Sequence, residues 1–294
     1  MTRLSAFLLL ALANLFWSGN WIAGRALRES FEPVALNFWR WVVATLVLAP
    51  FALPALRGKW RSLRRHAGSL LLLAFLGVSL FQSLVYLGLR STEAVNAVLL
   101  NSSLPLVILL CSWAIEREKA SARQVAGMLV SLAGILVILS RGDAATLLQF
   151  ELHAGDIWIL LAMPVWGVYS VLLKRAPAQL SGLELLFVIS LAGTLMLLPA
   201  VVLSANHTTP NWPGEAAALG VVYMGVCASV LAFLFWNRGV AAVGANAAGF
   251  TIHLLPAFGT LLAILLLGER FAAFHAAGII TIVAGVLLAT WKRA

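Results

Sequence analysis

Charged side chains are scarce in this sequence. Asp, Glu, Lys and Arg together make up 11% of its 294 residues, whereas 62% are hydrophobic. Soluble domains have about 25% charged residues and about 45–50% apolar ones. A surface with so little charge needs lipid as its solvent, which indicates an integral membrane protein. The net charge of +9 does not point to nucleic acid, because the basic residues lie in short loops between apolar runs, as they do in membrane proteins.

Acidic residues are missing from the middle of every apolar run. All 11 of them, from Glu29 to Glu269, fall in loops or near the ends of runs. Carriers of cationic drugs, and many proton-coupled carriers, hold the cation or the proton on a carboxylate within the membrane. Cation export and carboxylate-based proton coupling are therefore disfavoured.

Metal ligands and catalytic motifs are also lacking. The 2 cysteines, Cys111 and Cys227, lie in apolar runs without the spacing of a metal site. We therefore predict no metal and no cofactor. The sequence has no HExxH motif, no P-loop and no pair of acids within an apolar run. A membrane enzyme, which would need such groups, is therefore a weak hypothesis.

Long apolar runs are what the sequence does have. A helix that crosses a hydrocarbon layer of about 30 Å needs about 20 apolar residues. Runs of this length lie near residues 4–23, 34–53, 68–89, 94–114, 122–140, 155–174, 183–203, 216–237, 244–266 and 272–291. The predicted fold is therefore an all-α integral membrane protein with ten transmembrane helices.

The distribution of Lys and Arg predicts the orientation. With a cytoplasmic amino terminus, fourteen of the 20 basic residues fall on the inner side and five on the outer side, while Arg40 lies within the second span. The five are Arg25, Arg28, Arg90, Arg141 and Arg270. Cytoplasmic loops carry the excess of positive charge. We expect a bacterial inner-membrane protein with both termini in the cytoplasm.

The chain contains an internal repeat. "AGMLVSLAGILVIL" at 126–139 is echoed by "AGIITIVAGVLLAT" at 277–290. Similar offsets relate Trp17 to Trp166, Gly88 to Gly239, Pro50 to Pro199, Pro105 to Pro256 and Glu118 to Glu269. We predict two five-helix repeats, residues 1–145 and 146–294, which together form one membrane domain.

An odd number of spans in each half inverts the second copy. Substrate sites are then expected near the midplane, where the repeats meet. A receptor or scaffold would not need such a duplication. The repeat also argues against a signal peptide, although "ALA" at 11–13 resembles a cleavage site, because the first span matches the sixth.

Several motifs carry a family resemblance. "ALANLFWSGNW" at the start, "NFWRW" in the second span and "LLLGERFAAFHAAGIITIVAGVLL" at the end resemble the EamA-type branch of the drug/metabolite transporter superfamily. The first half is the looser copy, with "AIEREKASARQVAG" where the second has "LLGERFAAFHAAG". The resemblance implies a ten-helix carrier of small metabolites, many members being exporters. The tryptophan-rich opening is most similar to the YddG-type aromatic amino-acid exporters.

Polar and aromatic residues at helical spacing form the candidate site, because side chains three and four apart share a face. Amide and hydroxyl groups turned toward lipid would lack partners, so they should face protein or a cavity. The predicted substrate-binding residues are Asn14, Trp17, Ser18, Gln82, Tyr86, Asn101, Trp166, Tyr169 and His253, and Pro105 and Pro256 are predicted to bend their helices. We expect Trp17 and Trp166 to face each other across a central cavity.

Two ionisable residues within spans leave alternatives open. His253 either contacts solute or only bonds a neighbouring helix. Arg40 either extends to the outer interface or anchors a partner, and a structural role is favoured over substrate contact. Gly127 and Ser131 could pack within one bundle or between two, so the oligomeric state stays open.

The expected lining is aromatic, amide and hydroxyl, which suits a neutral or zwitterionic solute with an apolar side chain. The sequence therefore predicts an exporter of neutral amino acids with aromatic or large apolar side chains, working by alternating access in a lipid bilayer. The alternative is an exporter of other small metabolites or drugs of the same superfamily.

Overall fold

The computed structural model describes residues 1–92, 94–143, 151–205, 214–267 and 271–290. Ten helices in these ranges are long and apolar enough to cross a membrane. They are α1 (Arg3–Ala26), α2 (Pro33–Leu56), α3 (Ala67–Ser91), α4 (Asn96–Glu116), α5 (Ala122–Leu139), α6 (Ala154–Arg175), α7 (Gly182–Leu203), α8 (Gly214–Val243), α9 (Ala245–Leu265) and α10 (Ala273–Thr290). A short helix, Trp60–Arg65, lies between α2 and α3. The predicted all-helical, ten-span fold is confirmed.

The helices pack in pairs, and each pair has an equivalent pair when the two repeats are exchanged. The second half of α8 packs along α1, and α3 correspondingly packs along α6. In the same way α9 contacts α1, and α4 contacts α6. The remaining pairs, α2 with α7 and α5 with α10, join equivalent helices of the two copies. This pairing is that of two inverted five-helix repeats around a pseudo-two-fold axis. The predicted boundary at 145/146 lies outside the described residues.

Four helices are interrupted at corresponding places. α3 contains a π-helical segment, Phe75–Leu80, and α8 contains another, Met224–Leu231. α4 turns at residues 102–103, and α9 passes through a 3₁₀ turn at Thr251–His253. Mid-helix segments of this kind recur at functional sites. All four interruptions flank the centre of the bundle.

The two prolines predicted to bend helices follow these interruptions. Pro105 is in the first turn of the segment Leu104–Glu116, and Pro256 is in the first turn of Leu254–Leu267. Proline is tolerated there because the first N–H groups of a helical segment have no partner within it. The prolines therefore mark where α4 and α9 resume.

Glycines bring α5 and α10 into close contact. A Cβ atom on Gly134 would lie 2.7 Å from both the carbonyl oxygen of Gly278 and the backbone nitrogen of Ile282. A Cβ on Gly127 would lie 2.5 Å from the backbone nitrogen of Ala289. The small-residue face of α5 that contains Gly127 therefore packs within one chain.

Candidate functional site

An aromatic cluster lies where the two repeats meet. The ring centres of Trp17 on α1 and Trp166 on α6 are 5.2 Å apart, with an angle of 88° between the ring planes. Phe233 of α8 packs edge-on against both, at 5.8 Å and 5.5 Å. Edge-to-face pairs of this kind contribute about 0.5–1.5 kcal/mol beyond the burial of their area. Trp236 packs against Trp17, and Phe81 packs against Trp166.

The direct contact of Trp17 with Trp166 differs from the expectation that they face each other across a cavity. The edge of one indole meets the face of the other, and Phe233 closes one side of the pair. No space for a solute remains between the two rings. A solute that stacks on either face must therefore first separate them.

A small cavity adjoins this cluster. Four of the predicted residues line it, together with Asn20, Phe81 and Phe233; the four are Trp17, Gln82, Asn101 and Trp166. Its volume of about 30 Å³ accommodates one or two water molecules. It is too small for an amino acid, so the centre is nearly closed in this conformation.

A larger groove opens toward one end of the molecule. Its volume is about 320 Å³, and its lining includes Ser18, Arg25, Pro256 and His275. Trp21 and Leu255 line both the groove and the central cavity. These two side chains therefore lie between the groove and the aromatic cluster.

Ion pairs join the helices at the opposite end. Lys174 at the end of α6 lies 2.7 Å from Glu116, the last residue of α4, and 2.9 Å from Glu118, which follows that helix. Asn246 at the start of α9 donates to Glu118 at 3.3 Å. The two repeats are thus joined at this end, where cavities of about 660 Å³ and 470 Å³ also lie.

Three predicted residues lie behind the cavity wall, because their polar groups bond to neighbouring helices. Asn14 Nδ2 donates to the carbonyl oxygen of Leu10 at 2.8 Å and to Thr251 Oγ1 at 3.2 Å. Tyr169 donates to Asn237 Oδ1 at 3.2 Å. Tyr86 is likewise buried and is not part of the lining. None of the three lines the central cavity in this conformation, and solute contact by them stays a prediction.

His253 is a fourth such residue. Its Nδ1 lies 2.5 Å from Ser131 Oγ, and its Nε2 lies 2.9 Å from the carbonyl oxygen of Ser102. Both ring nitrogens are thereby used in joining α9 to α5 and α4. Of the two alternatives for His253, the structure shows the interhelical hydrogen bond.

Arg40 and Asn20 form a polar network that the list of predicted site residues does not contain. Arg40 is 1% exposed, so it does not extend to the membrane interface. Its Nε donates to Ser229 at 2.8 Å, and its Nη1 donates to Tyr86 at 2.8 Å and to Asn20 Oδ1 at 3.2 Å. Asn20 stands between this network and the central cavity. The position of Arg40 well inside a span was the available sequence signal.

Ten membrane-spanning helices in two inverted copies, with an aromatic cluster between the copies, are typical of membrane carriers built from internal repeats. The model of the EamA-like transporter family matches this chain twice, over residues 4–140 and 153–291. The chain belongs to this family of membrane transporters.

Similar proteins cover almost the whole chain. An uncharacterized transporter of Archaeoglobus fulgidus is 31% identical and is matched over 97% of both chains. A protein of Streptantibioticus cattleyicolor, named a probable terminal-alkyne amino-acid exporter, is 28% identical over 95% of this chain and 91% of its own. A crystal structure with 23% identity superposes with a TM-score of 0.77 over 98% of this chain and 97% of that one, which shows the same fold.

Proposed function

We propose that this transporter exports neutral amino acids with aromatic or large apolar side chains. The observation that carries the proposal is the contact of Trp17 and Trp166, one from each repeat, beside a cavity that also presents amide groups. Indole faces offer an apolar stacking surface and attract an ammonium group. Amides such as those of Gln82 and Asn101 supply hydrogen bonds to a zwitterion.

Alternating access accounts for a closed centre that a groove approaches from one end. In this proposal the solute enters by one end of the bundle and separates Trp17 from Trp166. The ion pairs of Lys174 hold the other end together and break when that end opens. Rocking of one repeat against the other around a fixed central site is the usual mechanism of inverted-repeat carriers.

The comparisons support an amino acid over other solutes, because one relative is named an amino-acid exporter. The tryptophan-rich first helix favours aromatic solutes, as in the YddG-type exporters that the sequence resembles. Export of other small metabolites or drugs is the second candidate. A cationic drug fits less well, because the described carboxylates lie near helix ends rather than at the centre.

We also propose that both termini are cytoplasmic, so that the groove opens to the outside. The support is the excess of Lys and Arg on the side of the termini. A cysteine at either terminus, in a variant without Cys111 and Cys227, should resist an impermeant thiol reagent applied to intact cells. Labelling of a terminus at the rate of an external reference cysteine overturns this orientation.

Counterflow in proteoliposomes tests the proposed function. Vesicles preloaded with unlabelled phenylalanine should accumulate external labelled phenylalanine transiently, because a carrier exchanges solute across the bilayer. Tryptophan should compete, and tetraphenylphosphonium should be transported more slowly than phenylalanine. Faster transport of tetraphenylphosphonium, or no counterflow of any amino acid, contradicts the proposal.

A further inference from the structure

Arg40 is a buried cation that has no anionic partner among the described residues. It lies about 10 Å from the start of α2 at 1.5 Å per residue, and the groups that it contacts, Ser229, Tyr86 and Asn20, are all neutral. No ion pair of Arg40 occurs within the described ranges. A guanidinium is not deprotonated in proteins, and a buried charge without a countercharge is costly. The centre of the protein therefore favours an anionic group.

The hydrogen bonds of Arg40 fix the orientation of the Asn20 amide. A guanidinium can only donate, so the atom of Asn20 that faces Arg40 Nη1 at 3.2 Å must be the carbonyl oxygen. Tyr86 accepts from Arg40 and gives its own hydrogen to the same oxygen at 3.1 Å. The amide nitrogen of Asn20 is therefore directed away from the network.

The amide nitrogen of Asn20 is the one group of this hydrogen-bond network that faces the central cavity. Asn20 lines the central cavity together with Trp17 and Trp166, and its Nδ2 has no acceptor in the part of the chain that the structure describes. Because its oxygen accepts from a cation, the N–H groups of the amide become stronger donors. The cavity thus has an electropositive donor next to an aromatic wall.

We propose that Asn20 Nδ2 binds a carboxylate of the solute, and that Arg40 is the positioning residue that orients and polarises it. The inference rests on the proposed function and narrows its substrate class: the transported solutes are carboxylates with an aromatic or large apolar group. Tyr86 supports this arrangement by bonding to both Arg40 and Asn20. The ammonium group of an amino acid then contributes less to solute binding than its carboxylate does.

Three solutes that share one phenyl ring separate these contributions. Phenylalanine has both charged groups, 3-phenylpropionate has the carboxylate alone, and phenethylamine has the ammonium alone. In proteoliposomes we expect the first two to be transported, or to compete, about ten- to hundredfold better than phenethylamine, the worth of one charge-assisted hydrogen bond.

Asn20→Asp is the decisive variant. It is nearly isosteric, and its carboxylate pairs with Arg40 in place of the solute, so the preference for phenylalanine over phenethylamine should fall about ten- to hundredfold. Arg40→Gln should lower the same ratio, whereas Arg40→Lys should retain it because the charge remains. If an Arg40 variant does not fold, the Asn20→Asp ratio decides.

The outcomes separate this inference from the proposed function. Equal transport of phenethylamine and phenylalanine by the unaltered protein, or an unchanged ratio in Asn20→Asp, overturns the carboxylate site and leaves aromatic transport standing. If Arg40 had a purely structural role, Arg40→Gln would lower the transport rates of all three solutes and leave their ratios unchanged. That result also overturns the carboxylate site. If none of the three solutes is transported, the proposed function itself is contradicted.

Discussion

The two central tryptophans, although related by the repeat, differ in their hydrogen bonds. Trp17 Nε1 donates to the carbonyl oxygen of Ala228 at 3.0 Å. Trp166 Nε1 is buried and has no partner within the described structure. An unsatisfied buried donor costs about 1–3 kcal/mol. The indole N–H of Trp166 is therefore free to donate to a solute or a water molecule if the two indoles separate.

At the scale of single residues, spacing on the helices predicted side chains that are buried in the structure, but not what each one contacts. Trp17 and Trp166 could be placed because the repeat relates them and their spans are long. The partners of His253 are Ser131 and Ser102, from two other helices. Such partners depend on how helices pack, which the local pattern does not contain.

Asn20 also shows that the local sequence pattern does not give tertiary contacts. It lies one turn from Trp17, among residues that the sequence already marked as unusual. Its role follows only from Arg40 and Tyr86, which approach it from α2 and α3. The sequence therefore indicated a polar centre, and the tertiary structure was needed to divide it into cavity wall and supporting network.

At the scale of elements, the apolar runs gave the ten helices within a few residues. The interruptions were only partly visible: Pro105 and Pro256 marked α4 and α9, whereas nothing in the sequence marked the π-helical segments Phe75–Leu80 and Met224–Leu231. A π turn inserts one residue without changing composition. Its position is set by packing, as where Gly77 lies against the ring of Tyr169.

The contact of α5 with α10 is the element-scale feature most sensitive to a single methyl group. Gly134→Ala should lower the thermal stability of the purified protein, because the new Cβ meets backbone atoms of α10 at 2.7 Å. Overpacking of this kind costs about 1–3 kcal/mol. The measurement is the midpoint of thermal unfolding in detergent.

Gly68→Ala in α3 is the matched control. A Cβ there has no neighbour within 4 Å, and alanine is the better helix former by about 1 kcal/mol. This variant should be as stable as the unaltered protein or more stable. Equal losses in both variants would show that the spacing of α5 and α10 does not depend on glycine.

At the scale of the whole molecule, the repeat was visible in matched residues along the chain, and the structure adds which helices it brings together. Helix α1 has α8 and α9 as neighbours, and α6 has α3 and α4. The first helix of each repeat therefore packs mainly against helices of the other copy. The aromatic cluster belongs to neither half alone, since Trp17 and Trp166 come from different repeats.

Transport by tryptophan variants tests most directly whether the two repeats share one solute site. Trp17→Ala and Trp166→Ala should each raise the KM for phenylalanine about five- to hundredfold, the loss of about 1–3 kcal/mol of apolar contact. Trp158→Ala, on the same helix as Trp166 but 42% exposed, should transport normally. The account predicts this pattern in folded protein of equal amount. Normal KM values in both central variants, or an equal loss in Trp158→Ala, would contradict it.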